Sequence, residues 1–257
     1  MIKAVIFDWA GTTVDYGSFA PVEAFMQTFR EAGVEPTIDE TRKPMGMLKV
    51  DHIRTMLKMD RIESEWIRVH GEAPTEADVQ ALYVPYEAKL LSILHNFATP
   101  KPFVVDAVAE LRSEGVKIGS TTGYNNKMMQ IVVPGAAKQG YAPDFWITPD
   151  SVGGKGRPFP YMIFHNLEAL GVSDVRRAAK VGDTVADIKE GVAAGVFSIG
   201  VVEGSSVLAL TENEYKALGV EERTAACARV EQTFRDAGAD AVIRNFSELP
   251  ALLRQIA

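Results

Sequence analysis

Cysteine is almost absent: Cys227 is the one thiol in 257 residues. An intramolecular disulfide is therefore impossible, and zinc sites built from several thiolates are excluded with it. Histidine is scarce as well, and His70, His95 and His165 have no ligand-like spacing. No apolar run approaches the ~18 residues that a membrane span needs. The N-terminal apolar stretch is interrupted by Asp8, too early for a signal peptide, so a reduced, cytoplasmic setting is expected and a membrane partner is not. A basic excess is also missing. The 27 Lys and Arg against 34 Asp and Glu leave a net charge of −7, which points away from nucleic acid. An anionic small molecule stays open, because a site can be locally positive on an acidic protein. No Gly-x-Gly-x-x-Gly follows the first apolar run, and Gly153–Arg157 lacks the Gly-Lys-Ser/Thr of a nucleotide P-loop.

What is present is a globular composition, 47% hydrophobic and 24% charged, which excludes a disordered chain. Apolar runs at 2–7, 116–120, 178–182 and 196–201, rich in β-branched residues, predict buried strands, each ending in polar, turn-rich sequence. Helical patterns at about 102–114, 125–138, 159–170, 185–194 and 221–236 alternate with them. The expected fold class is α/β, a Rossmann-like parallel sheet with helices on both faces. An edge strand is expected near 240–243, and residues 207–257 show no chemistry. The interval 18–98 breaks the alternation: patterns at 20–33, 44–58, 62–70 and 75–96 are helical, with Gly33, Pro36, Pro44, Gly71 and Pro74 between them. The expected organisation is a catalytic core of residues 1–17 and 99–257 interrupted by an α-helical cap of residues 18–98. Leaving from the end of the first strand, the cap would lie over the strand ends where open α/β sheets bind ligands.

The polar residues fall at those ends. Asp8, Thr122 and Asp183 each follow an apolar run, and Arg157 lies in the loop 153–160. Asp183 and Asp187 are four apart at a helix start and share a face. Taken singly, each aspartate would most often cap a helix or a turn. Together with Asp8 they form a carboxylate cluster that repels itself unless a cation fills it, and Mg²⁺ suits such oxygen ligands plus a phosphoryl group. The set suggests phosphoryl transfer, with Asp8 attacking phosphorus, Thr122 and neighbouring backbone amides such as Gly123 binding phosphoryl oxygens, and Arg157 adding a charge-assisted fork.

The segments Asp8-Trp9-Ala10-Gly11-Thr12-Thr13, Thr122, Gly156-Arg157-Pro158 and Gly182-Asp183-Thr184-Val185-Ala186-Asp187 resemble the four motifs of the haloacid dehalogenase superfamily. The resemblance implies a Rossmann-like core, an Asp nucleophile and Mg²⁺. One position departs from the phosphatases of that superfamily: where they carry an acid two residues after the nucleophile, this chain has Ala10. A leaving alkoxide would receive no proton there, whereas a carbanion that can delocalise needs none. Lys49 offers the means, since an amine condenses with an aldehyde to an iminium, an electron sink. Lys49 and His52 are expected on one face of a cap helix within Met45-Gly46-Met47-Leu48-Lys49-Val50-Asp51-His52, where the imidazole can shuttle protons.

The stretch Asp8-Trp9-Ala10-Gly11-Thr12-Thr13-Val14-Asp15-Tyr16-Gly17, the segment Met45–His52, Gly119-Ser120-Thr121-Thr122-Gly123-Tyr124 and Gly204-Ser205-Ser206 are similar to the phosphonoacetaldehyde hydrolase (phosphonatase) family over nearly the whole chain. The resemblance implies hydrolysis of a carbon–phosphorus bond in aminoethylphosphonate breakdown. It implies Asp8 as nucleophile and Lys49 as Schiff-base lysine. Mg²⁺ would be held by Asp8, the Ala10 carbonyl and Asp183, with Asp187 in support. Met45, His52 and Tyr124 would line an aldehyde pocket, and a homodimer would form through the cap. Members often carry Cys after the Tyr-Gly pair; this chain has Ser18, so no thiol role is assigned. A phosphate-ester phosphatase or phosphomutase, opposed by Ala10, and a non-catalytic binding module, opposed by the intact acidic set, are the competing expectations.

Overall fold

The computed structural model describes residues 1–256. Six strands, β1 (Ala4–Phe7), β2 (Lys117–Ser120), β3 (Phe145–Trp146), β4 (Ala178–Gly182), β5 (Phe197–Val201) and β6 (Ala241–Ile243), form one parallel sheet in the order β3-β2-β1-β4-β5-β6. The expected α/β class is what the chain adopts. β1 pairs with both β2 and β4, so the order reverses beside it and opens a crevice at the carboxyl ends of these three strands. Alternation along β1 feeds two layers. Val5 and Phe7 pack with Val104, Leu111 and Phe246 on one face, while Ile6 meets Ile163, Leu167 and Val196 on the other.

Between β1 and β2 run α1 (Phe19–Glu31), α2 (Ile38–Arg42), α3 (Lys49–Leu57), α4 (Asp60–His70) and α5 (Glu76–Ile93). The remaining helices are α6 (Val104–Ser113), α7 (Asn126–Ala137), α8 (Tyr161–Ala169), α9 (Val185–Ala194), α10 (Glu212–Ala217), α11 (Val220–Asp236) and α12 (Leu249–Gln255). Local chemistry sets several starts. Thr37–Glu40, Thr75–Asp78 and Thr184–Asp187 are capping boxes for α2, α5 and α9. α1 has no side-chain cap at Ser18; instead the Asp15 carboxylate accepts from the Phe19 and Ala20 amides. The insert does not have its own separate interior. Phe25, Phe29, Ile53, Met56, Tyr86 and Leu90 join Trp9, Tyr124, Met128 and the β1 side chains in one apolar cluster.

Two expectations need correction. The helix expected over 44–58 begins only at Lys49, because Gly46 takes a left-handed φ of 87°. Met45–Leu48 is therefore a turn rather than helix. β3 was not expected at all, being two residues long and carrying no run of its own.

Candidate active site

The carboxyl ends of β1, β2 and β4 bring Asp8, Thr122 and Asp183 together, and the start of α9 adds Asp187. One oxygen from each of Asp8, Asp183 and Asp187 lies within 4.8 Å of the others, and all three residues are buried. Asp183 does not cap α9; Thr184 does. Its Oδ1 instead accepts from the Thr12 hydroxyl at 2.7 Å and its Oδ2 from the Ser206 amide at 2.8 Å. A side chain at Gly11 would collide with the Asp183 carboxylate. Asp187 is more fully engaged. Oδ2 closes the capping box with Thr184 at 2.5 Å, and Oδ1 faces Arg157 Nη1 at 3.0 Å and Lys180 Nζ at 2.9 Å.

Arg157 is buried among carboxylates. Its Nη2 donates to Asp8 Oδ1 at 2.6 Å and to the Thr121 hydroxyl at 2.9 Å, and its Nε donates to Glu190 at 2.9 Å. Burial works against its charge, but Asp187, Asp8 and Glu190 together hold its pKa above the ordinary arginine value. Asp183 has the opposite balance. Burial, then repulsion from Asp8 and Asp187, pushes its pKa up to about 7. Carboxylates that crowd in this way fit a hard divalent cation. A divalent metal could be held by Asp8 and Asp183. Asp187, with both oxygens already engaged by protein donors, is suited to bracing them.

Above this floor the turn Met45–Leu48 and the first residue of α3 form a roof. A narrow gap, with a cavity volume of about 20 Å³, is lined from below by Asp8, Ala10, Thr122, Gly123, Tyr124 and Arg157, and from above by Met45, Gly46 and Lys49. The seam is tight. A Cβ on Gly123 would come within 2.7 Å of the Met47 carbonyl oxygen, and one on Gly46 would overlap the Thr184 hydroxyl. Lys49 is 4% exposed and its ammonium faces the Tyr124 and Phe25 rings at 5.2 and 5.9 Å. Desolvation brings its pKa down to about 8, despite Asp8 pulling the other way. His52 stands behind Lys49 and does not line the gap. It stacks on Phe25 with centroids 3.9 Å apart. Its Nε2 lies 2.8 Å from the Thr41 carbonyl oxygen, so that nitrogen carries the proton. Nδ1 has no partner, and burial followed by the Lys49 charge keeps the ring neutral, its pKa well below the ordinary range.

Comparison with known proteins places this geometry. Residues 2–195 match the model of the haloacid dehalogenase-like hydrolases. The phosphonoacetaldehyde hydrolase of Lysinibacillus sphaericus is 50% identical over 255 residues, covering 99% of this chain and 95% of that protein. The chain belongs to the phosphonoacetaldehyde hydrolase family. A bifunctional phosphonoacetaldehyde hydrolase/aminoethylphosphonate transaminase of Clostridioides difficile is 51% identical, the match covering 99% of this chain and 40% of that longer protein. Among solved structures, a phosphonoacetaldehyde hydrolase-like protein from Oleispira antarctica superposes with a TM-score of 0.96 at 35% identity, covering 99% of this chain and 92% of that one. Among the described residues no helix is long and apolar enough to cross a membrane.

Sequence reasoning passed over several residues of the site. Lys180 sits in mid-β4 and is fully buried between Asp187 and Glu190, and its signal was a lysine inside Ala178-Ala179-Lys180-Val181-Gly182. Glu190 follows Asp187 by three on the same helix face and accepts from Thr121 at 2.9 Å. Thr12 and Ser206, which hold Asp183, carry no sequence signal beyond their motifs.

Proposed function

We propose that this protein hydrolyses phosphonoacetaldehyde to acetaldehyde and phosphate. The observation that carries the reading is a desolvated amine, Lys49, in the roof of a closed gap whose floor is Asp8. The family membership supports the substrate.

In this mechanism the phosphonate lies on the floor, against Thr122, the Gly123 amide and Arg157, and the aldehyde points at Lys49. The free amine adds to the carbonyl carbon, and one proton passes from nitrogen to the new oxygen. A second proton drawn from solvent lets that oxygen leave as water, giving an iminium. His52, packed behind Lys49, holds the amine in place. Asp8 Oδ attacks phosphorus while the carbon–phosphorus bond breaks, its electron pair passing into the carbon–carbon double bond of an enamine on Lys49. Water then opens the aspartyl-phosphate to phosphate. The enamine takes a proton on carbon, and hydrolysis of the imine releases acetaldehyde and restores the amine. Mg²⁺, held by Asp8, the Ala10 carbonyl and Asp183 with Asp187 bracing them, would offset the negative charge shared by carboxylate and phosphoryl oxygens. Met45 and Tyr124 wall the aldehyde, and Ala10 leaves no acid to serve an ester.

The same reading makes residues 18–98 a cap on a core of 1–17 and 99–257, and places the protein in the cytoplasm. A homodimer through the cap would cover Ile67, Val69 and Val84, which are exposed on α4 and α5; light scattering on the purified protein checks it. The decisive experiment is borohydride reduction in the presence of phosphonoacetaldehyde followed by peptide mass spectrometry, with phosphate release followed by phosphorus NMR. A two-carbon adduct on Lys49 is expected. An adduct on another lysine, or phosphate release with no adduct, overturns the mechanism.

A further inference from the structure

The loop that follows β5 is gripped from three sides. Gly17, where the chain leaves the core for the insert, donates its amide to the Gly204 carbonyl at 2.8 Å. Lys101, where the chain returns, donates to the Glu203 carbonyl at 2.6 Å and also to the Gly11 carbonyl. Arg42, the last residue of α2 in the insert, places one nitrogen, Nη1, between the Gly17 carbonyl at 2.8 Å and the Ser206 carbonyl at 3.0 Å. Its guanidinium lies 4.7 Å over the Phe19 ring, and the residue is 9% exposed. A buried arginine that meets only carbonyl oxygens and a ring, with Nε and Nη2 unpartnered, is an expensive way to hold two segments together. The same loop turns inward to the chemistry, because the Ser206 amide donates to Asp183 Oδ2 at 2.8 Å.

We propose that Arg42 is a positioning residue: it fastens the helical insert to the loop 203–206, and through the Ser206 peptide it sets Asp183, so that the carboxylate cluster is complete only when the roof is in place. The chain of contacts is short and continuous: Arg42 Nη1 to Ser206 O, Ser206 N to Asp183 Oδ2, Asp183 to the cluster with Asp8. Closure over Lys49 and readiness of the floor are then one event. This inference rests on Asp183 being a metal-holding carboxylate, as proposed above.

Reciprocity gives a test that needs no variant. If a closed insert tightens Mg²⁺ binding, Mg²⁺ tightens the insert by the same factor. Hydrogen exchange of the wild-type protein with and without Mg²⁺ should slow by roughly tenfold in residues 38–48 and 203–206, and stay unchanged in α11. Calorimetric titration with Mg²⁺ should then show an affinity roughly tenfold weaker in Arg42→Met, with KM for phosphonoacetaldehyde raised more than kcat is lowered. Arg42→Lys should stay within about threefold of wild type, since both contacts come from one nitrogen that an ammonium can replace. A lack of Mg²⁺ binding by the wild type would sink the metal reading and this inference with it. Wild-type binding with no slowing of exchange at 38–48, or with equal affinity in a folded Arg42→Met, would overturn the latch alone.

Discussion

Arg157 in the floor and Lys49 in the roof are equally hidden from water, yet burial leaves them in opposite states. Arg157 lies within ion-pair distance of Asp8, Asp187 and Glu190, and those carboxylates overcome desolvation and keep it charged. Lys49 looks at the rings of Tyr124 and Phe25, and desolvation wins. The difference matches the two tasks. The floor needs fixed charge to meet a phosphoryl group, and the roof needs a base with its lone pair free. One fold can supply both because neighbours, more than depth, decide which state survives.

The sharpest way to break the contrast is to remove the amine. Lys49→Arg should lower phosphate release by roughly 10⁴-fold or more, measured by phosphorus NMR, while Mg²⁺ titration gives an unchanged affinity. Retained turnover would show that the roof has no covalent part. Next comes the floor. Arg157→Met leaves Asp187 and Glu190 buried against Lys180 alone, and should cost about 3–5 kcal/mol in urea unfolding. The same change in the roof should have the opposite sign. Lys49→Met removes a charge whose pKa is depressed from 10.5 to about 8, and should stabilise the fold by about 1–3 kcal/mol at pH 7, seen as a rise in Tm.

The smallest effect is in pH. Below about 8 the Lys49 amine is mostly protonated, so iminium trapping should climb roughly tenfold per pH unit and level off above that value. Stability has its own window. Between about 8 and the ordinary lysine value of 10.5 the unfolded chain binds more protons than the folded one, so this residue makes the fold more stable as pH rises through that range. In Lys49→Met the climb with pH should be shallower, the remainder coming from Lys101, whose pKa is likewise brought down to about 8 by burial; denaturant melts across the window can check it.

The sequence made the floor more legible than the roof. Asp8, Thr122 and Asp183 stand at the ends of apolar runs, and strand periodicity alone sends such positions to one edge of a sheet. Asp187 and Arg157 followed from spacing and order. In the roof the segment was found but its shape was not: the turn at Met45–Leu48 depends on Gly46 fitting against Thr184, a contact across far separated parts of the chain. His52 was expected beside the aldehyde and lies behind Lys49, because Phe25 and the Thr41 carbonyl capture its ring. Lys180 and Glu190 escaped because a lysine in a strand reads as an edge residue until its partners are known, and Arg42 because its partners are backbone oxygens, which no side-chain pattern announces.

The apolar cluster that runs unbroken from β1 through Trp9, Tyr124 and Met128 into Phe25 and Tyr86 limits how this enzyme can breathe. Swinging the helices wide would wet several large side chains at about 1.5–3 kcal/mol each, so entry calls for a shallow sliding of packed surfaces. Passage of substrate and product then depends on how far those surfaces can slide.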